Sequence, residues 1–488
     1  MLDQTILKNP LLMKSANLID GEWIAAGADA IPVTNPATSV LLGSIPNSGR
    51  KETKRAVEAA SRAFPAWRAK TAAERAAILR RLHALILEHQ DDLAQLLTLE
   101  QGKPLAEAKG EVGMSAAYVL WFAEEARRIY GDVIPSPWAG RRILVTKDPV
   151  GVVAAITPWN FPSSMIARKL GPALAAGCTM VIKPASQTPY SGLAWGVLCA
   201  EAGVPKGVVN IVTGSSKEIG AELTSNPDVK KITFTGSTEV GKKLMEQAAK
   251  TMKKVSMELG GNAPFIIFDD ADLDRAVEGA IAAKYRNAGQ TCVCTNRFLV
   301  QDGIYDAFAE RLAAAAGKLK VGNGLEDGVQ QGPLIDDKAV AKVEEHIADA
   351  VQKGGKVVAG GHRHALGHTF FEPTIITGAT PEMAVAREET FGPLSPLFRF
   401  KDEAEAVRMA NDTEYGLASY FYTRDLGRAF RVSEALEYGL VGVNEGLITT
   451  EVAPFGGVKE SGVGREGSKY GIEDYLSVKY TCVGGLDG

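Results

Sequence analysis

Hydrophobic and polar residues follow two different spacings along the chain. After Thr71, apolar side chains recur at helical spacing, from Ile78 and Leu82 as far as Leu97. The helix is predicted to start at Thr71, because Thr71-Ala72-Ala73-Glu74 has the form of a capping box. Residues 150–156 instead form a continuous apolar run, which is typical of a buried strand. The chain therefore combines amphipathic helices with buried strands.

The middle of the chain predicts a regular alternation of strands and helices. Predicted strands cover residues 150–156, 179–183, 208–213 and 231–234, and predicted helices lie between and after them, from about 163, at 191–202, after 213 and at 238–251. This order implies right-handed crossovers and a mostly parallel sheet, whose ligands sit beyond the carboxyl ends of the strands. A second α/β unit is predicted over 263–440, with strands at 265–268 and 298–301 and a helix at 305–319. The predicted fold class is α/β.

Two further segments are predicted to be additions to a sheet rather than part of its core. They are residues 141–147, which follow the turn sequences Pro135-Ser136-Pro137 and Ala139-Gly140, and residues 475–483 near the end of the chain. An exposed edge strand normally needs a partner. We therefore expect a homo-oligomer that assembles through these segments.

Composition and charge argue against several classes of protein. The 488 residues are 45% hydrophobic and 23% charged, with a net charge of −4 and no basic stripe, which argues against a nucleic-acid partner. No run approaches the ~18 apolar residues that span a bilayer, and the start, Met1-Leu2-Asp3-Gln4, lacks the basic region of a signal peptide. The 5 cysteines are too few and too scattered for a disulfide scaffold. We expect a cytoplasmic protein without a membrane partner.

Three short motifs contain residues suited to covalent catalysis. Cys292 lies among small and polar residues in Gly289-Gln290-Thr291-Cys292-Val293-Cys294, although a lone cysteine is more often a small buried residue. Asn160, in Ile156-Thr157-Pro158-Trp159-Asn160-Phe161-Pro162, lies near a helix start and suits an oxyanion donor; the alternative is a turn asparagine. Glu258, in Met257-Glu258-Leu259-Gly260-Gly261, has apolar neighbours that would raise its pKa and suit a general base; the alternative is an ordinary carboxylate at a strand end.

A fourth motif is compatible with a phosphate site. Phe234-Thr235-Gly236-Ser237-Thr238-Glu239-Val240-Gly241-Lys242-Lys243 leads from a strand into a helix; Gly236 and Gly241 allow a tight turn, and the helical amides can hold a phosphate. The spacing approaches the Walker A pattern of nucleotide hydrolases, but Lys243 stands where a serine or threonine must bind magnesium. The histidines lie outside these motifs. His362, His364 and His368 are predicted to lie in an exposed loop, and we expect no metal site.

Together, these motifs resemble the aldehyde dehydrogenase superfamily in order and spacing over essentially the whole chain. The matching positions are Asn160, Lys183 in Lys183-Pro184-Ala185-Ser186, the Gly236/Gly241 loop, Glu258, Cys292, Glu389-Thr390-Phe391-Gly392-Pro393 and Pro454-Phe455-Gly456-Gly457. The resemblance implies a Rossmann-like dinucleotide-binding domain (1–134 and 149–260), an α/β catalytic domain (261–440), and a β-hairpin oligomerisation extension (135–148 and 474–488). Residues 441–473 return to the cofactor domain and carry a substrate-pocket loop. The implied assembly is a homo-dimer or homo-tetramer.

The resemblance also implies covalent catalysis. The Cys292 thiolate attacks the aldehyde, the Asn160 amide and the Cys292 backbone N–H hold the oxyanion, and a hydride passes to NAD(P)+. Glu258 then activates the water that hydrolyses the thioester, which favours a free acid over transfer to CoA. Two rivals belong to other classes: a Walker-type nucleotide hydrolase, which the residue at Lys243 disfavours, and a catalytically silent relative, which would be expected to lack Cys292 or Glu258.

The cofactor positions implied by the resemblance are Thr157, Pro158, Trp159, Lys183, Ser186, Gly236, Ser237, Gly241, Leu259, Glu389 and Phe391. Lys183 and Ser186 match positions at the adenosine ribose, where NAD-preferring members often carry a glutamate in place of Ser186. A hydroxyl and a cation accept a 2′-phosphate. We therefore expect NADP+ to be preferred, with NAD+ as the alternative.

Three features resemble the succinate-semialdehyde dehydrogenase subfamily: Arg168, Arg286 and the Cys292/Cys294 doublet. Two arginines suit a bidentate grip on a distal carboxylate; surface ion pairs are the alternative. Thr449 stands where the subfamily often has serine, and its extra methyl keeps glutarate semialdehyde open as a substrate beside succinate semialdehyde. Cys294 is either packing or a redox switch that forms a disulfide with Cys292.

Overall fold

The computed structural model describes residues 7–27 and 29–486. The segment Met1-Leu2-Asp3-Gln4, on which the signal-peptide prediction was based, lies outside the described residues. Within the described ranges, no helix is long and apolar enough to cross a membrane.

Strands and helices alternate over most of the chain. The strands are β1 (Ala16–Ile19), β2 (Glu22–Ala25), β3 (Ala30–Thr34), β4 (Leu41–Pro46), β5 (Asp132–Ile134), β6 (Arg142–Pro149), β7 (Val152–Ile156), β8 (Thr179–Lys183), β9 (Val209–Ile211), β10 (Val229–Thr235), β11 (Lys254–Glu258), β12 (Ala263–Ile267), β13 (Thr295–Gln301), β14 (Lys356–Ala359), β15 (Thr374–Ala379), β16 (Leu394–Phe400), β17 (Ala418–Tyr422), β18 (Leu440–Val443), β19 (Gly462–Val463) and β20 (Leu476–Val483).

The helices are α1 (Arg50–Arg68), α2 (Ala72–Glu88), α3 (Gln90–Gln101), α4 (Leu105–Glu125), α5 (Ser164–Ala176), α6 (Pro189–Ala202), α7 (Ser216–Ser225), α8 (Thr238–Ala249), α9 (Leu273–Tyr285), α10 (Tyr305–Ala316), α11 (Asp337–Gln352), α12 (Ala384–Arg387), α13 (Glu403–Asn411) and α14 (Leu426–Ala435).

The helix predicted from Thr71 is two helices. Thr71 caps α2 as predicted, since the Glu74 N–H donates to its hydroxyl and its own N–H donates to the Glu74 carboxylate at 2.7 Å. The prediction that the helix continues to Leu97 is wrong, because α2 ends at Glu88 and α3 begins at Gln90. His89 leaves the helical conformation (φ −98, ψ 16). Asp92, in the first turn of α3, accepts the backbone N–H groups of Lys8 and Asn9 and so ties the N-terminal segment to this helix.

The first sheet has the strand order β19-β11-β10-β7-β8-β9-β1-β2. Strands β11, β10, β7, β8 and β9 are parallel, and antiparallel strands complete both edges. After β7 the chain adds β8 and β9 on one side and then β10 and β11 on the other. The order therefore reverses between β7 and β10, and in such sheets ligands bind outside the carboxyl ends of the strands at this switch point.

The second sheet has the order β14-β15-β16-β13-β12-β17-β18 and is parallel except for β14. Apolar clusters cover both of its faces, as they do in the first sheet. Strands β12, β13 and β16 begin directly after the segments that hold Gly261, Cys292 and Phe391. The predicted α/β class with parallel sheets is confirmed.

A third, antiparallel sheet has the order β20-β6-β5. Strand β20 pairs with β6 along its whole length, from Leu476 opposite Pro149 to Val483 opposite Arg142. Beyond Leu476, every residue of β20 is exposed, on both faces of the sheet. The two segments that the sequence predicted as sheet additions therefore pair with each other.

Candidate active site

The candidate site lies at the carboxyl edge of the first sheet. Residues 157–162 follow β7, residues 184–187 follow β8, residues 236–237 follow β10 and residues 259–262 follow β11. Because β7 and β10 are neighbours on either side of the switch point, their loops meet there. The motifs around Asn160 and Gly236 are thus brought together by the topology of the sheet.

A cavity of about 210 Å³, called cavity A here, opens between these loops and the segments that precede the second sheet. Its residues come from both sheets: Pro158, Trp159, Asn160, Met165, Thr235, Gly236, Ser237, Leu259, Gly260, Cys292, Glu389 and Phe391. All of them except Met165 belong to the sequence motifs quoted above. The structure therefore joins the predicted cofactor positions to the predicted nucleophile.

Aromatic and acidic side chains shape one wall of cavity A. Trp159 and Phe391 pack edge to face with ring centroids 5.5 Å apart, and Phe391 holds a left-handed backbone conformation (φ +54). The Glu389 carboxylate accepts the Gly261 N–H at 3.1 Å, and burial raises the pKa of Glu389 to about 8. A flat aromatic slot with a hydrogen-bonding carboxyl group fits a nicotinamide riboside.

The glycine-rich loop differs from the prediction. Ser237 caps α8 by accepting the Val240 N–H, so the first-turn amides of α8 lie at the end of β10, as a phosphate site requires. Gly236 lies in the short turn between β10 and α8, as expected, but the expectation that Gly241 serves this turn is wrong, because Gly241 lies inside α8. A Cβ at Gly241 would overlap Leu259 Cδ2. Gly241 therefore lets α8 pack closely against Leu259.

Lys183 and Ser186 lie outside cavity A, in the loop after β8. Lys183 is buried, and its Nζ donates to the Pro184 carbonyl at 3.1 Å. Burial lowers the pKa of Lys183 to about 8. The loop is tied to the one after β7, because the Thr157 N–H donates to the Lys183 carbonyl. A buried ammonium beside the half-buried hydroxyl of Ser186 fits an anionic group on a nucleotide.

Cys292 lines both cavity A and a second cavity described below. Burial raises the pKa of the Cys292 thiol to about 12; Glu389 adds to the increase and Arg168 opposes it. The thiol is therefore protonated at neutral pH in the free protein, although the thiolate is the nucleophile. Deprotonation of the Cys292 thiol therefore requires a base or a positively charged ligand, because the surrounding side chains, taken together, do not lower its pKa.

Asn160 is buried, and two hydrogen bonds fix its carboxamide. Its Nδ2 donates to the Gln290 carbonyl at 3.0 Å, and its Oδ1 accepts the Phe161 N–H at 3.1 Å. Gln290 lies in the segment that carries Cys292, so the amide is tied to the backbone of the thiol loop. A fixed N–H donor beside a nucleophile is the arrangement that oxyanion stabilisation needs.

Glu258 is buried, and both of its carboxylate oxygens are without a hydrogen-bond partner among the described residues. Desolvation raises the pKa of Glu258 well above its ordinary value, Glu466 adds to the increase, and Lys169 and Arg168 oppose it. Gly456 leaves room for the carboxyl group, since a Cβ there would lie 2.9 Å from Glu258 Oε1. A carboxylate in this setting is a stronger base than an exposed one and is suited to accept a proton.

The second cavity, called cavity B, lies on the other side of Cys292. It is lined by Met114, Phe161, Ser164, Met165, Arg168, Arg286, Thr291, Cys292, Val293, Thr449 and Phe455. Both arginines singled out in the sequence therefore share one small volume with the thiol and the Thr449 hydroxyl. The rest of the lining is largely apolar.

Arg168 is only 2% exposed and lies between two aromatic rings. Its Cζ is 4.9 Å from the ring centroid of Tyr118 and 4.3 Å from that of Phe455. Its Nε and Nη1 make no hydrogen bond to any described residue, and the Glu466 carboxylate lies 3.9 Å from Nη1. Arg168 is therefore not part of a surface ion pair. It is a buried cation, and its Nε and Nη1 have no hydrogen-bond acceptor among the described residues.

Arg286 is half-buried, and its Cζ lies 5.1 Å from the ring centroid of Phe161. Among the described residues, no carboxylate forms an ion pair with it. Cys294, two residues beyond Cys292, is buried, and its thiol donates to the Lys284 carbonyl at 3.3 Å. It lines neither cavity.

Comparison with known proteins agrees with this geometry. The profile of the aldehyde dehydrogenase family matches residues 23–481. The chain belongs to the aldehyde dehydrogenase family. It is therefore an oxidoreductase, and the resemblance found in the sequence is confirmed.

Two curated members of the aldehyde dehydrogenase family align with nearly the whole chain. A glutarate-semialdehyde dehydrogenase of Pseudomonas aeruginosa is 66% identical over 98% of this chain and 100% of its own length. The NADP+-dependent succinate-semialdehyde dehydrogenase of Escherichia coli is 65% identical over 98% of this chain and 99% of its own. A solved structure, an NADP-dependent enzyme of E. coli, superposes with a TM-score of 0.97 at 65% identity, covering 98% of this chain and 100% of that one.

Sequence reasoning missed several residues around the site of this aldehyde dehydrogenase. Lys169 Nζ donates to Thr235 Oγ1 at 2.7 Å and pairs with the buried Glu466, and both charges act on Glu258. One signal was available: Arg168 and Lys169 are adjacent cations inside an otherwise apolar helix, and buried cations need partners. The partner Glu466 could not be found this way, because it is 297 residues away.

Proposed function

We propose that this aldehyde dehydrogenase oxidises succinate semialdehyde to succinate, with NADP+ as the hydride acceptor. The observation that carries the proposal is cavity B, where Cys292 shares a small volume with Arg168, Arg286 and Thr449. Succinate semialdehyde carries an aldehyde at one end and a carboxylate at the other. The thiol suits the first group, and two cations with a hydroxyl suit the second. The name of the E. coli relative supports the same substrate.

Glutarate semialdehyde, one methylene longer, is the second candidate. The name of the P. aeruginosa relative favours it, and the threonine at 449, whose methyl changes the shape of cavity B, leaves it open. Both candidates require the same thiol and the same cations. They differ only in the distance between the carbonyl carbon and the carboxylate.

Catalysis in this proposal starts at Cys292. When bound in cavity A, the oxidised nicotinamide supplies a hydride acceptor and a positive charge that lowers the thiol pKa. The Cys292 thiolate attacks the aldehyde carbon, and the Asn160 amide and the Cys292 backbone N–H donate hydrogen bonds to the oxyanion. Departure of the hydride from the former aldehyde carbon leaves a thioester on Cys292.

Glu258 completes the reaction by taking a proton from the water that attacks the thioester. Its burial and raised pKa support this role, because a carboxylate whose pKa is raised is a stronger base than an exposed one. Attack by water releases the carboxylic acid and restores the Cys292 sulfur. Arg168 and Arg286 hold the distal carboxylate of the substrate during both steps.

For the cofactor, we propose that Lys183 and Ser186 bind the 2′-phosphate of NADP+. Among the described residues, the buried ammonium of Lys183 has a single hydrogen-bond partner, the Pro184 carbonyl, which supports an anionic ligand. Ser237 and the α8 amides suit the pyrophosphate, Glu389 the nicotinamide ribose, and Phe391 with Trp159 the ring. Thr157, Pro158, Gly236, Gly241 and Leu259 shape the walls.

We further propose that the first and second sheets form the cofactor and catalytic domains. Two of the boundaries predicted from the sequence move with the strands: β5 (Asp132–Ile134) belongs to the third sheet and not to the 1–134 segment of the cofactor domain, and β18 continues the second sheet to Val443, beyond 440. The third sheet then serves a homo-dimer or homo-tetramer, as its exposed strand β20 suggests. The unpaired state of all the cysteines supports a reducing, cytoplasmic location. A regulatory disulfide between Cys292 and Cys294 stays a prediction.

The test compares kcat/KM for succinate semialdehyde, glutarate semialdehyde and butyraldehyde, each with NADP+ and with NAD+. We expect both semialdehydes to exceed butyraldehyde by at least about 10²-fold, because a site built for a polar group discriminates strongly against an analogue without it. Of the two semialdehydes, succinate semialdehyde should have the higher kcat/KM. A lead for glutarate semialdehyde would transfer the proposal to the second candidate, and equal values for all three would end it. An NAD+ preference above about tenfold would refute the cofactor assignment.

A further inference from the structure

A fully buried ion pair lies behind the active-site loops, outside both cavities. Lys103 precedes α4 and Glu111 lies within it; both side chains are 0% exposed, and Lys103 Nζ is 2.6 Å from Glu111 Oε2. Neither residue lines cavity A or cavity B. Burying two charges is expensive, and a buried pair is weak evidence of a stabilising role. The other contacts of Lys103 and Glu111 show which segments of the chain this pair positions.

Lys103 and Glu111 form hydrogen bonds with the Asn160 segment from two sides. Lys103 Nζ donates to the Asn160 carbonyl at 2.7 Å and lies 3.7 Å from the ring centroid of Phe161. Glu111 Oε1 accepts the N–H groups of Ser163 at 2.9 Å and Ser164 at 3.1 Å, which open α5. The segment between β7 and α5 is therefore anchored by one cation on its carbonyl side and one carboxylate on its amide side.

The same face of α4 also forms a hydrogen bond with the loop that leads to Cys292. Glu107, one turn before Glu111, accepts the Asn287 N–H at 2.8 Å. Asn287 and Ala288 both adopt the left-handed region (φ +51 and +55), and Asn287 Nδ2 donates to the Asn160 carbonyl at 3.1 Å. The carbonyl that Lys103 holds is thus shared with the loop that leads to Cys292.

We propose that Lys103 and Glu111 are positioning residues that set the Asn160 amide relative to Cys292. The proposal rests on the oxyanion role assigned to Asn160 above. Oxyanion donors act only when they are fixed near hydrogen-bond distance of the oxygen that develops charge, and a displacement of about 1 Å can cost on the order of 10²-fold in rate. The ion pair fixes the backbone on both sides of that donor.

The test is a double-mutant cycle on the rate constant of NADPH formation in a single turnover. The holoenzyme is saturated with NADP+ and with butyraldehyde, which has no carboxylate, so the result does not depend on the arginines. The variants are Lys103→Met with Glu111→Gln, Asn160→Ala, and the three together. Glutamine keeps the carbonyl oxygen that accepts the Ser163 and Ser164 N–H groups while removing the buried charge.

We expect the charge-free pair to lower the rate constant about 10- to 100-fold when Asn160 is present, and less than about threefold in the Asn160→Ala background, where the side-chain donor that the pair positions is absent and only the Cys292 backbone N–H remains. The KM for NADP+ should stay within about twofold, since the pair does not touch cavity A. An equal loss in both backgrounds would overturn the proposal. If Asn160→Ala alone left the rate unchanged, the oxyanion assignment itself would fall, and the positioning role with it.

Glu100→Gln is the matched control. Glu100 is also buried, and it accepts the N–H groups of Tyr190 and Ser191, both at 2.7 Å, at the start of α6, as Glu111 does for α5. It should leave the rate constant unchanged; a loss equal to that of Glu111→Gln would mean that any buried helix cap has this effect, which contradicts the proposal. If the charge-free pair does not fold, Glu111→Gln alone replaces it in the same cycle, with the same non-additive loss expected.

Discussion

At the scale of single residues, Glu258 and Cys292 have environments that oppose their charged forms. Both are surrounded by apolar groups and carboxylates, and burial raises the pKa of each. For Glu258 this suits a base, because the proton that it must accept is one that water releases reluctantly. For Cys292 it means that nucleophilic attack depends on a loaded cofactor site.

Glu258→Gln is predicted to block turnover after the first hydride transfer. The thioester should form and persist, so that kcat falls about 10²- to 10⁴-fold while a burst of one NADPH per site remains. In the wild type, kcat should rise as pH increases, since the raised pKa of Glu258 keeps its carboxyl group protonated at lower pH and leaves it ionised, and able to act as a base, at higher pH. Stopped-flow absorbance of NADPH measures both. Loss of the burst itself would place Glu258 before hydride transfer.

The affinity for NADP+ is predicted to fall as pH rises. Burial lowers the pKa of Lys183 to about 8, so its charge is present below that pH and lost above it, and a 2′-phosphate prefers the charged form. Between pH 7 and pH 9.5, KM for NADP+ should increase about tenfold, with a smaller change for NAD+. Lys183→Met should flatten the NADP+ profile, and Ser186→Ala should keep it. A steep profile in Lys183→Met would assign the titration to another group.

At the scale of elements, the sequence predicts what local patterns determine. Strand β8 was predicted from end to end, because its apolar run is closed by a glycine-cysteine pair on one side and a proline on the other. The break between α2 and α3 was missed, because the apolar spacing continues across His89 while the conformation does not. Asn160, Glu258 and Cys292 were found because each lies in a compact motif.

Contacts between distant segments had no such signal. Lys103 and Asn160 are 57 residues apart, and Lys169 and Glu466 are 297 apart. Lys103, Lys169 and Glu466, each taken alone in the sequence, resemble ordinary surface charges. Only the folded chain shows that these three charges are buried near the active-site loops.

Gly241 provides a prediction at this scale. Gly241→Ala should push Leu259 into cavity A, since the added Cβ would overlap Leu259 Cδ2 and lie 2.9 Å from its Cδ1, and KM for NADP+ should rise about tenfold, the equivalent of roughly 1.4 kcal/mol. Gly110→Ala is the matched control: it lies inside α4 with no atom within 4 Å of its added Cβ. That variant should raise the free energy of unfolding by about 0.5–1 kcal/mol and leave KM unchanged. An unchanged KM in Gly241→Ala would mean that Leu259 has room to turn elsewhere.

At the scale of the whole molecule, the third sheet (β20-β6-β5) differs from the first and second sheets in its exposure. Val478 and Tyr480 lie on one face of β20 and are 69% and 59% exposed, and no described helix covers either face of that strand. Apolar side chains on an extended strand are an association site rather than a stable surface. A closed assembly of identical chains would bury them.

Val478→Lys combined with Tyr480→Lys is therefore predicted to dissociate the protein into smaller species. Charges on the buried face of an interface oppose association. Sedimentation velocity on the wild type should give a dimer or tetramer, and the variant should sediment as a smaller unit. Met252→Lys is the control, since Met252 is 89% exposed in the turn after α8 and should change nothing. A monomeric wild-type protein would contradict the proposed assembly.

Arg168 and Arg286 in cavity B are proposed to select an aldehyde with a distal carboxylate. The most direct test is the ratio of kcat/KM for succinate semialdehyde to that for butyraldehyde, measured in the wild type and in Arg286→Ala. The account predicts that the substitution lowers this ratio at least about 10²-fold, because the carboxylate loses a charged partner, while kcat/KM for butyraldehyde stays within about threefold. An unchanged ratio would contradict the account, and Arg286 would then be a structural residue of an aldehyde dehydrogenase with some other substrate.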